Sequence, residues 1–273
     1  MCTVDLHTHS SCSDGQYAPA EVVRRAAEAG ITHMALTDHD TAEGIGEART
    51  AAAAYGLRFM AGIELSTSGR ARQHILGYGV QPEHPALQTA CRLFTQRRLH
   101  RAEKIARLLQ SQGLAVTVEE AAAEAKGQLG RPHFARVMMK KGYVASVTEA
   151  FERYLATPAV RAIPDPKPTA QEAIELIHEA GGVAVLAHPF TLQLSEAEFP
   201  LVLDALCGVG LDGLEVYYSK HTAPQTAFFL SCAKVRSLLI TGGSDYHGEA
   251  VKPDIFLGMQ VPSWLAEQPL PFL

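Results

Sequence analysis

The sequence predicts an α/β fold in which a parallel sheet is covered by helices. Two observations indicate this: seven short apolar runs are spread along the chain, and helical patterns lie between them. The runs are T-V-D-L-H (3–7), T-H-M-A-L-T (32–37), R-F-M-A-G-I-E (58–64), H-I-L-G-Y (74–78), V-A-V-L-A-H (183–188), L-D-G-L-E-V-Y (211–217) and S-L-L-I-T-G-G-S-D (237–245). Continuous apolar strands alternating with amphipathic helices are typical of a parallel sheet buried on both faces. Periodicity leaves undecided whether this sheet is open or closed into a barrel.

The helices between the early and late strands begin and end at recognisable residues. The segment A-P-A-E-V-V-R-R-A-A-E-A-G places Pro19 in the first turn and Gly30 just past the end. The segment T-A-Q-E-A-I-E-L-I-H-E-A-G-G begins with Thr169 and Glu172, which have the spacing of a capping box, and ends at Gly181.

The middle of the chain has a different pattern. Residues 85–160 are helical in pattern and contain no convincing strand, and the Pro-rich stretch 163–168 leads back into the strand and helix alternation. We therefore predict a barrel or sheet domain formed by 1–84 and 161–273, and a helical insertion at 85–160 that caps the site.

Composition excludes several classes of protein. The 273 residues are 47% hydrophobic and carry a formal net charge of -5, which excludes a polybasic nucleic-acid binder. The five cysteines are dispersed without a C-x-x-C pair, as in reduced cytosolic proteins. Since no apolar stretch is long enough to span a bilayer, we expect a cytoplasmic protein without membrane contact, and no protein partner is inferred.

Metal-binding types of residue fall at the ends of the predicted strands, where parallel α/β folds build active sites. His7 and His9 alternate on one strand, so both point to the same face. The other candidates at strand ends or starts are Asp38, His39, Asp40, Glu64, His74, His188, Asp245 and His247, with Asp14 close behind the first strand. A single histidine is more often a surface or hydrogen-bonded residue, but this coincidence over several strands favours a metal site. Asp38 and Asp40 can be either partners of ligand histidines or helix caps.

Five blocks in order, D-L-H-T-H-S, T-D-H-D, G-I-E, A-H-P and S-D-Y-H, resemble the motifs of the polymerase and histidinol phosphatase (PHP) family between residues 5 and 247. The resemblance implies a distorted (β/α)7 TIM-like barrel with a metal site of two to three divalent ions at its C-terminal face. Three ligand sets are implied: His7, His9, Glu64 and Asp245 for one ion, Glu64, His74 and His188 for a second, and Asp14, His39 and His247 for a third. Imidazole and carboxylate ligands without thiolate suit manganese, our expectation, as well as iron or zinc.

Clustered divalent ions favour displacement at phosphorus, because they polarise phosphoryl oxygens and activate water. In G-R-P-H-F-A-R, Arg131 and His133 are the best candidates to bind phosphate and to act in catalysis, and Pro132 predicts a helix start there. Alternatively, Arg131 makes a surface ion pair. Further expected contacts to substrate come from Arg136, Ser244 and Tyr246, and His188 is a catalytic as well as a ligand candidate.

G-R-P-H together with H-I-L-G-Y, A-H-P-F and G-S-D-Y-H is most similar to the tryptophan-operon-linked PHP phosphoesterases. This similarity implies removal of the 3′-phosphate from nucleoside 3′,5′-bisphosphates, for example adenosine 3′,5′-bisphosphate to AMP. The alternatives are a 5′-to-3′ exoribonuclease on short 5′-phosphorylated RNA, a histidinol-phosphate phosphatase, and a PHP module that binds metal without activity. A small phosphorylated nucleotide is the expected partner, and short RNA is the alternative.

Overall fold

In the part of the chain that the structure describes, eight strands form the sheet, one in each predicted apolar run and one more after residue 258. The computed structural model describes residues 1–69, 73–125 and 127–267. The strands are β1 (Cys2–Asp5), β2 (His33–Leu36), β3 (Arg58–Ser66), β4 (His74–Tyr78), β5 (Val183–Leu186), β6 (Gly213–Tyr218), β7 (Leu239–Gly243) and β8 (Met259–Val261). Sequence analysis missed β8 because three residues are too few to establish an alternating pattern.

The strands are ordered β7-β6-β5-β4-β3-β2-β1-β8. The pairs β1–β2, β2–β3, β5–β6 and β6–β7 are parallel, which agrees with the predicted burial of these strands on both faces. The expectation of a wholly parallel sheet is wrong for β4, which runs antiparallel to both β3 and β5. The reason is the connection: only seven residues, 67–73, separate β3 from β4, and a parallel pair needs a longer crossover.

The two ends of the sheet meet beyond the last residues of β1 and β7. Leu6 donates its backbone N–H to the carbonyl of Gly242 at 3.0 Å, and Asp245 donates its own to the carbonyl of His7 at 2.8 Å. Thr8 and Tyr246 form an isolated parallel bridge. β8 pairs antiparallel with β1 on the edge opposite β2. The sheet is therefore a nearly closed barrel, and the predicted distorted TIM-like fold is confirmed.

The helices are α1 (Pro19–Glu28), α2 (Ile45–Tyr55), α3 (Pro85–Ser111), α4 (Val118–Ala123), α5 (Arg131–Lys140), α6 (Val147–Ala150), α7 (Pro158–Arg161), α8 (Ala170–Glu179), α9 (Phe199–Gly208) and α10 (Ala223–Val235). A π-helical turn spans Phe151–Leu155, and 3-10 turns span Pro189–Leu192 and Ser263–Glu267. The predicted capping box is present: Thr169 accepts from the N–H of Glu172, whose carboxylate accepts from the N–H of Thr169. Among the described residues, no helix is long and apolar enough to cross a membrane.

The chain divides into two compact units. One unit contains Met1–Cys91 and Lys167–Leu273 and includes the barrel, and the other contains Arg92–Pro166 and is helical. The helical unit has a hydrophobic core of its own, in which Leu109, Val116, Phe134 and Met138 are fully buried. A cluster of buried apolar side chains of this kind allows the helices of the unit to pack against one another.

Candidate metal centre

The candidate residues of the barrel unit converge where the strands deliver them. His7 and His9 follow β1, His39 follows β2, and Glu64 lies near the end of β3. His74 is the first residue of β4, and because β4 is antiparallel its start lies at the same edge as the carboxyl ends of the parallel strands. His188 follows β5, and Asp245 and His247 follow β7. The sheet edge that was predicted from the ends of the strands therefore also contains the start of one strand, β4.

Three residues at this edge have backbone conformations that side chains other than glycine seldom adopt. The φ angles are 55° at Asp40, 29° at His188 and 61° at Asp245. A left-handed conformation costs about 1–3 kcal/mol unless the surroundings hold it. Its occurrence at the ends of three different strands indicates that the loops are held to aim their side chains at one place.

Glu64 lies at the centre of five imidazoles. Its Oε1 is 2.8 Å from Nδ1 of His74 and 2.9 Å from Nε2 of His188. Its Oε2 is 3.2 Å from Nε2 of His7, 3.2 Å from Nε2 of His9 and 3.1 Å from Nδ1 of His39. Burial by itself raises the pKa of Glu64, but His39, His7 and the other imidazoles outweigh it and hold the pKa well below its usual value. Glu64 is therefore an ionised carboxylate that can bridge two ions.

Asp245 divides its two carboxylate oxygens between two kinds of partner. Its Oδ1 faces Nε2 of His9 at 3.3 Å and Nδ1 of His247 at 3.4 Å. Its Oδ2 accepts hydrogen bonds from the Tyr218 hydroxyl at 2.8 Å and from the Lys252 ammonium at 2.6 Å. This arrangement leaves Oδ1 as the oxygen that can bind a metal ion.

Asp14 lies in the loop behind β1 and meets the loop behind β7. Its Oδ1 is 3.2 Å from Nε2 of His247 and 4.0 Å from Nδ1 of His9. The imidazoles of His9 and His247 stack with ring centroids 4.0 Å apart, and those of His9 and His39 lie 4.6 Å apart. Because the Asp14 side chain is 41% exposed, this part of the cluster is open to solvent.

Eight of the nine candidate ligands fall into three overlapping groups. Within each group, one ligand atom from each residue lies within 4.8 Å of all the others. The groups are His7, His9, Glu64 and Asp245; His9, Asp14, His39 and His247; and His39, Glu64 and His74. They differ from the implied sets in three ways. His9 also belongs with Asp14, and His39 belongs with Glu64 and His74. His188 belongs to none of the groups and reaches the cluster through Oε1 of Glu64.

The chemistry of these atoms fits divalent metal binding. Both ring nitrogens of His9, Nδ1 of His39 and Oδ1 of Asp14 are buried and make no hydrogen bond within the described part of the chain. Buried polar atoms without a partner are costly, and a metal ion would satisfy them. Imidazole nitrogens and carboxylate oxygens are ligands that manganese, iron and zinc accept.

Two buried aspartates hold the loops that carry the ligands. Asp5, at the end of β1, accepts hydrogen bonds from the N–H and hydroxyl of Ser244 at 2.8 and 2.6 Å, and burial raises its pKa to about 6. Asp38 accepts from the N–H and hydroxyl of Ser10 and from the Ser13 hydroxyl at 2.5 Å. Asp38 thus fastens the loop behind β1, a role outside both alternatives that the sequence suggested.

Asp40 has a comparable role, since its Oδ1 accepts the backbone N–H of Ser66 at 2.9 Å. The other two barrel residues predicted to contact substrate are engaged locally: Ser244 with Asp5, and Tyr246 through a hydroxyl that donates to Glu249 at 2.8 Å. Their roles in substrate binding stay predictions.

Arg131, His133 and Arg136 belong to the helical unit. Helix α5 begins at Arg131 with Pro132 in its first turn, as the motif predicts. The Arg131 guanidinium donates to the carbonyl of Leu155 at 3.2 Å, and burial lowers its pKa. Nδ1 of His133 accepts the backbone N–H of Gly130 at 3.0 Å, and Arg136 donates to the carbonyl of Glu124 at 3.4 Å. Contacts of these residues with a phosphate stay predictions.

Sequence analysis missed Glu215. This carboxylate lies in β6, is fully buried, and contacts two candidate ligands on other strands: Nδ1 of His7 at 2.9 Å and the backbone N–H of His188 at 2.6 Å. The available signal was an acidic residue in the middle of the apolar run L-D-G-L-E-V-Y, since an unpaired carboxylate is seldom fully buried.

These features are those of a PHP domain. A model of the PHP domain family matches residues 5–157, and the chain belongs to this family, which confirms the resemblance drawn from the five motifs.

Curated relatives cover nearly the whole chain. A 3′,5′-nucleoside bisphosphate phosphatase from Chromobacterium violaceum is 33% identical over 90% of this chain and 88% of its own. A 5′-3′ exoribonuclease from Haemophilus influenzae is 34% identical over 89% of both chains. A crystal structure from Bifidobacterium adolescentis, described as a metal-dependent phosphoesterase, superposes with a TM-score of 0.83 at 30% identity and covers 97% of this chain and 94% of its own.

Proposed function

We propose that this protein is a metal-dependent phosphatase that hydrolyses the 3′-phosphate of nucleoside 3′,5′-bisphosphates, such as adenosine 3′,5′-bisphosphate, to give the 5′-monophosphate and phosphate. The observation that carries the proposal is the ionised Glu64 carboxylate enclosed by five imidazoles, with Asp245 and Asp14 beside them. The phosphatase from C. violaceum, which is similar over 90% of this chain, supports the substrate class.

The ligands would be distributed over two to three ions, manganese by our expectation. His7, His9, Glu64 and Asp245 would hold one ion, Glu64 with His74 and His188 a second, and Asp14, His39 and His247 a third. When bound, such ions polarise phosphoryl oxygens and lower the pKa of water. The chain's own part is to hold Nε2 of His7 and Nε2 of His188 toward Glu64 and to keep Oδ1 of Asp245 turned to the same side.

The helical unit would supply the residues that recognise phosphate. Arg131 offers a planar fork of donors suited to a phosphate group, and one of these donors, on Nη1, binds the carbonyl of Leu155. Nδ1 of His133 lies 3.0 Å from the backbone nitrogen and 3.2 Å from the carbonyl oxygen of Gly130, and when it accepts the N–H the imidazole carries its proton on Nε2. That tautomer can donate to a phosphoryl or leaving oxygen. We place Arg136, Ser244 and Tyr246 at the substrate as further contacts.

Hydrolysis of a panel of phosphate esters tests the proposal. The protein is stripped with a chelator, reloaded with Mn²⁺, and assayed with adenosine 3′,5′-bisphosphate, AMP, histidinol phosphate and a 5′-phosphorylated RNA trimer. We expect phosphate release from the bisphosphate, none from AMP, and loss of the activity in the stripped protein. Phosphate release from histidinol phosphate alone would overturn the substrate assignment.

A 5′-to-3′ exoribonuclease is the second candidate, and the 34% identity with the H. influenzae exoribonuclease favours it. Both reactions act at the 3′-oxygen of a 5′-phosphorylated nucleotide. Faster release of mononucleotides from the trimer than of phosphate from the bisphosphate would establish it.

We also propose a cytoplasmic location, because Cys2, Cys12, Cys207 and Cys232 are free thiols.

A further inference from the structure

Glu215 contacts two candidate ligands that follow two different strands, is fully buried, and is not itself a member of the ligand groups described above. Its Oε1 lies 2.9 Å from Nδ1 of His7, and its Oε2 accepts the backbone N–H of His188 at 2.6 Å. The side chains of both His7 and Glu215 are fully buried. The carboxylate stands on β6, whose neighbours are β5, which precedes His188, and β7, whose end meets the segment of His7.

The Nε2 atoms of both imidazoles face Glu64. Nε2 of His7 lies 3.2 Å from Oε2 of Glu64, and Nε2 of His188 lies 2.9 Å from Oε1. A neutral imidazole binds a metal ion through the nitrogen that carries no proton. For His7 to bind through Nε2, its proton must therefore sit on Nδ1, which is the nitrogen that faces Glu215.

We propose that Glu215 is a positioning residue that selects the Nδ1–H tautomer of His7 and fixes the backbone at His188, so that one buried carboxylate orients ligands on two strands. A carboxylate is suited to this because both of its oxygens accept hydrogen bonds. Contacts of this kind to the distal nitrogen of a ligand histidine typically change metal affinity by about 10- to 100-fold.

Glu215 also contacts a residue whose backbone is strained, His188. His188 has a φ of 29°, outside the regions that residues with a side chain favour. The hydrogen bond from its N–H to Glu215 ties this residue to the neighbouring strand, and Nδ1 of His188 is 3.0 Å from the Thr191 hydroxyl. Glu215 therefore holds the turn that aims the imidazole.

Glutamine at position 215 has the same shape but cannot serve both partners. It has one acceptor oxygen and one amide group that only donates, whereas two N–H groups require acceptors. If its oxygen accepts from His188, its amide faces Nδ1 of His7 and favours the tautomer with the proton on Nε2. If its oxygen accepts from His7, the amide meets the N–H of His188, and two buried donors face each other.

The chain contains a matched control. Asp212, immediately before β6, also joins an imidazole to a backbone N–H: its Oδ2 lies 2.7 Å from Nε2 of His178 and accepts the N–H of Ala184 at 2.7 Å. Neither His178 nor Asp212 belongs to the ligand groups. Asp212→Asn thus removes the negative charge from the same kind of contact, in the same region of the sheet, without touching a candidate ligand.

The experiment is a Zn²⁺ titration of the chelator-stripped full chain against a competing chelating dye, for the wild type, Glu215→Gln, Glu215→Asp and Asp212→Asn. We expect E215Q to bind one equivalent about 10- to 100-fold more weakly and D212N to bind as the wild type does. E215D retains two acceptors on a shorter side chain, so its affinity should lie between those of E215Q and the wild type.

Imidazole ¹⁵N spectra of the zinc-loaded protein report the tautomer directly. We expect the proton of His7 on Nδ1 in the wild type and on Nε2 in E215Q, a change that general loss of packing would not produce. A wild-type proton on Nε2 overturns the proposal without any variant. So does unchanged zinc affinity in E215Q with the His7 proton still on Nδ1.

The inference rests on the metal centre of the proposed function, and the same titration separates the two. If the wild type binds no zinc, the metal centre and the proposed function are wrong together. If the wild type binds zinc and E215Q matches it, the positioning role of Glu215 alone is wrong.

Discussion

The carboxylate of Asp14 lies 3.2 Å from Nε2 of His247, although one residue follows the first strand of the sheet and the other follows β7. The contact exists because the segments behind β1 and β7 hydrogen-bond to each other, with the His9 N–H donating to the carbonyl of Tyr246 at 2.9 Å. Closure of the sheet therefore assembles the most exposed of the three ligand groups.

Asp14→Ala should remove one metal ion and leave the others. The change deletes a ligand of the group His9, Asp14, His39 and His247, whereas Glu64 and its contacts remain. The check is elemental analysis of metal per chain after reloading with Mn²⁺, beside the rate of phosphate release. Asp14→His is the matched variant, because an imidazole can replace the carboxylate as a ligand, and it should retain the ion. Equal metal content in D14A and the wild type would contradict the assignment.

Glu64→Gln should lower the activity by at least about 100-fold and reduce the metal content of the protein. The amide keeps the shape of Glu64 but removes the negative charge that faces five imidazoles. Phosphate release and metal content are measured on the same sample. Glu175→Gln, at an exposed carboxylate on α8 that pairs with Gln171 at 2.8 Å, is the control and should change neither. Full metal occupancy in E64Q would refute the bridging role.

Metal affinity should rise with pH between 6 and 9. Burial lowers the pKa of His9, but Asp245 and Glu64 outweigh it and raise the pKa to about 9 in the metal-free protein. Below that pH His9 carries a proton that a metal ion must displace, so binding releases the proton. Burial lowers the pKa of His39 to about 3, so this imidazole carries no proton in this pH range and releases none when a metal ion binds. Zn²⁺ competition titrations at pH 6, 7 and 8 check this, and an affinity independent of pH would count against His9 as a ligand.

Arg131→Ala should reduce kcat/KM for adenosine 3′,5′-bisphosphate by about 10- to 1,000-fold, as expected when one donor to a charged oxygen is removed, with metal content unchanged. Arg153→Ala is the control, because Arg153 is exposed in the π-helical turn and pairs with Glu149 at the end of α6. Steady-state rates and elemental analysis are compared for both variants. Loss of metal from R131A would show that Arg131 acts on the fold rather than on the substrate.

Gly243→Ala should destabilise the barrel. A Cβ at this position would lie 2.3 Å from Cβ of His7, so the strand carrying His7 would have to shift. Overpacking of this kind typically costs about 1–3 kcal/mol. Gly46→Ala is the opposite case, since a Cβ there meets nothing within 4 Å and α2 gains helix propensity of about 1 kcal/mol. Thermal unfolding of metal-free protein should show a lower Tm for G243A and a higher one for G46A.

Local pattern alone determined much of the barrel. Apolar runs predict seven of the eight strands, Pro19 and the Thr169–Glu172 capping box predict helix starts, and strand ends predict where polar residues gather. These features depend on residues that are close together in the sequence, because hydrophobic periodicity and helix capping involve only a few consecutive residues. The five motifs predicted the PHP family in the same way, because each lies within a few residues.

Tertiary structure decided what depends on residues far apart in the chain. The antiparallel direction of β4 brings His74 to the ligand edge, and sheet closure brings Asp14 to His247. Glu215 could not be recognised as a partner of His7 and His188 before β5, β6 and β7 were placed side by side. The physical reason is that strand direction, pairing and closure are set by long-range packing and hydrogen bonding, whereas the sequence pattern reports only which face of each element is buried.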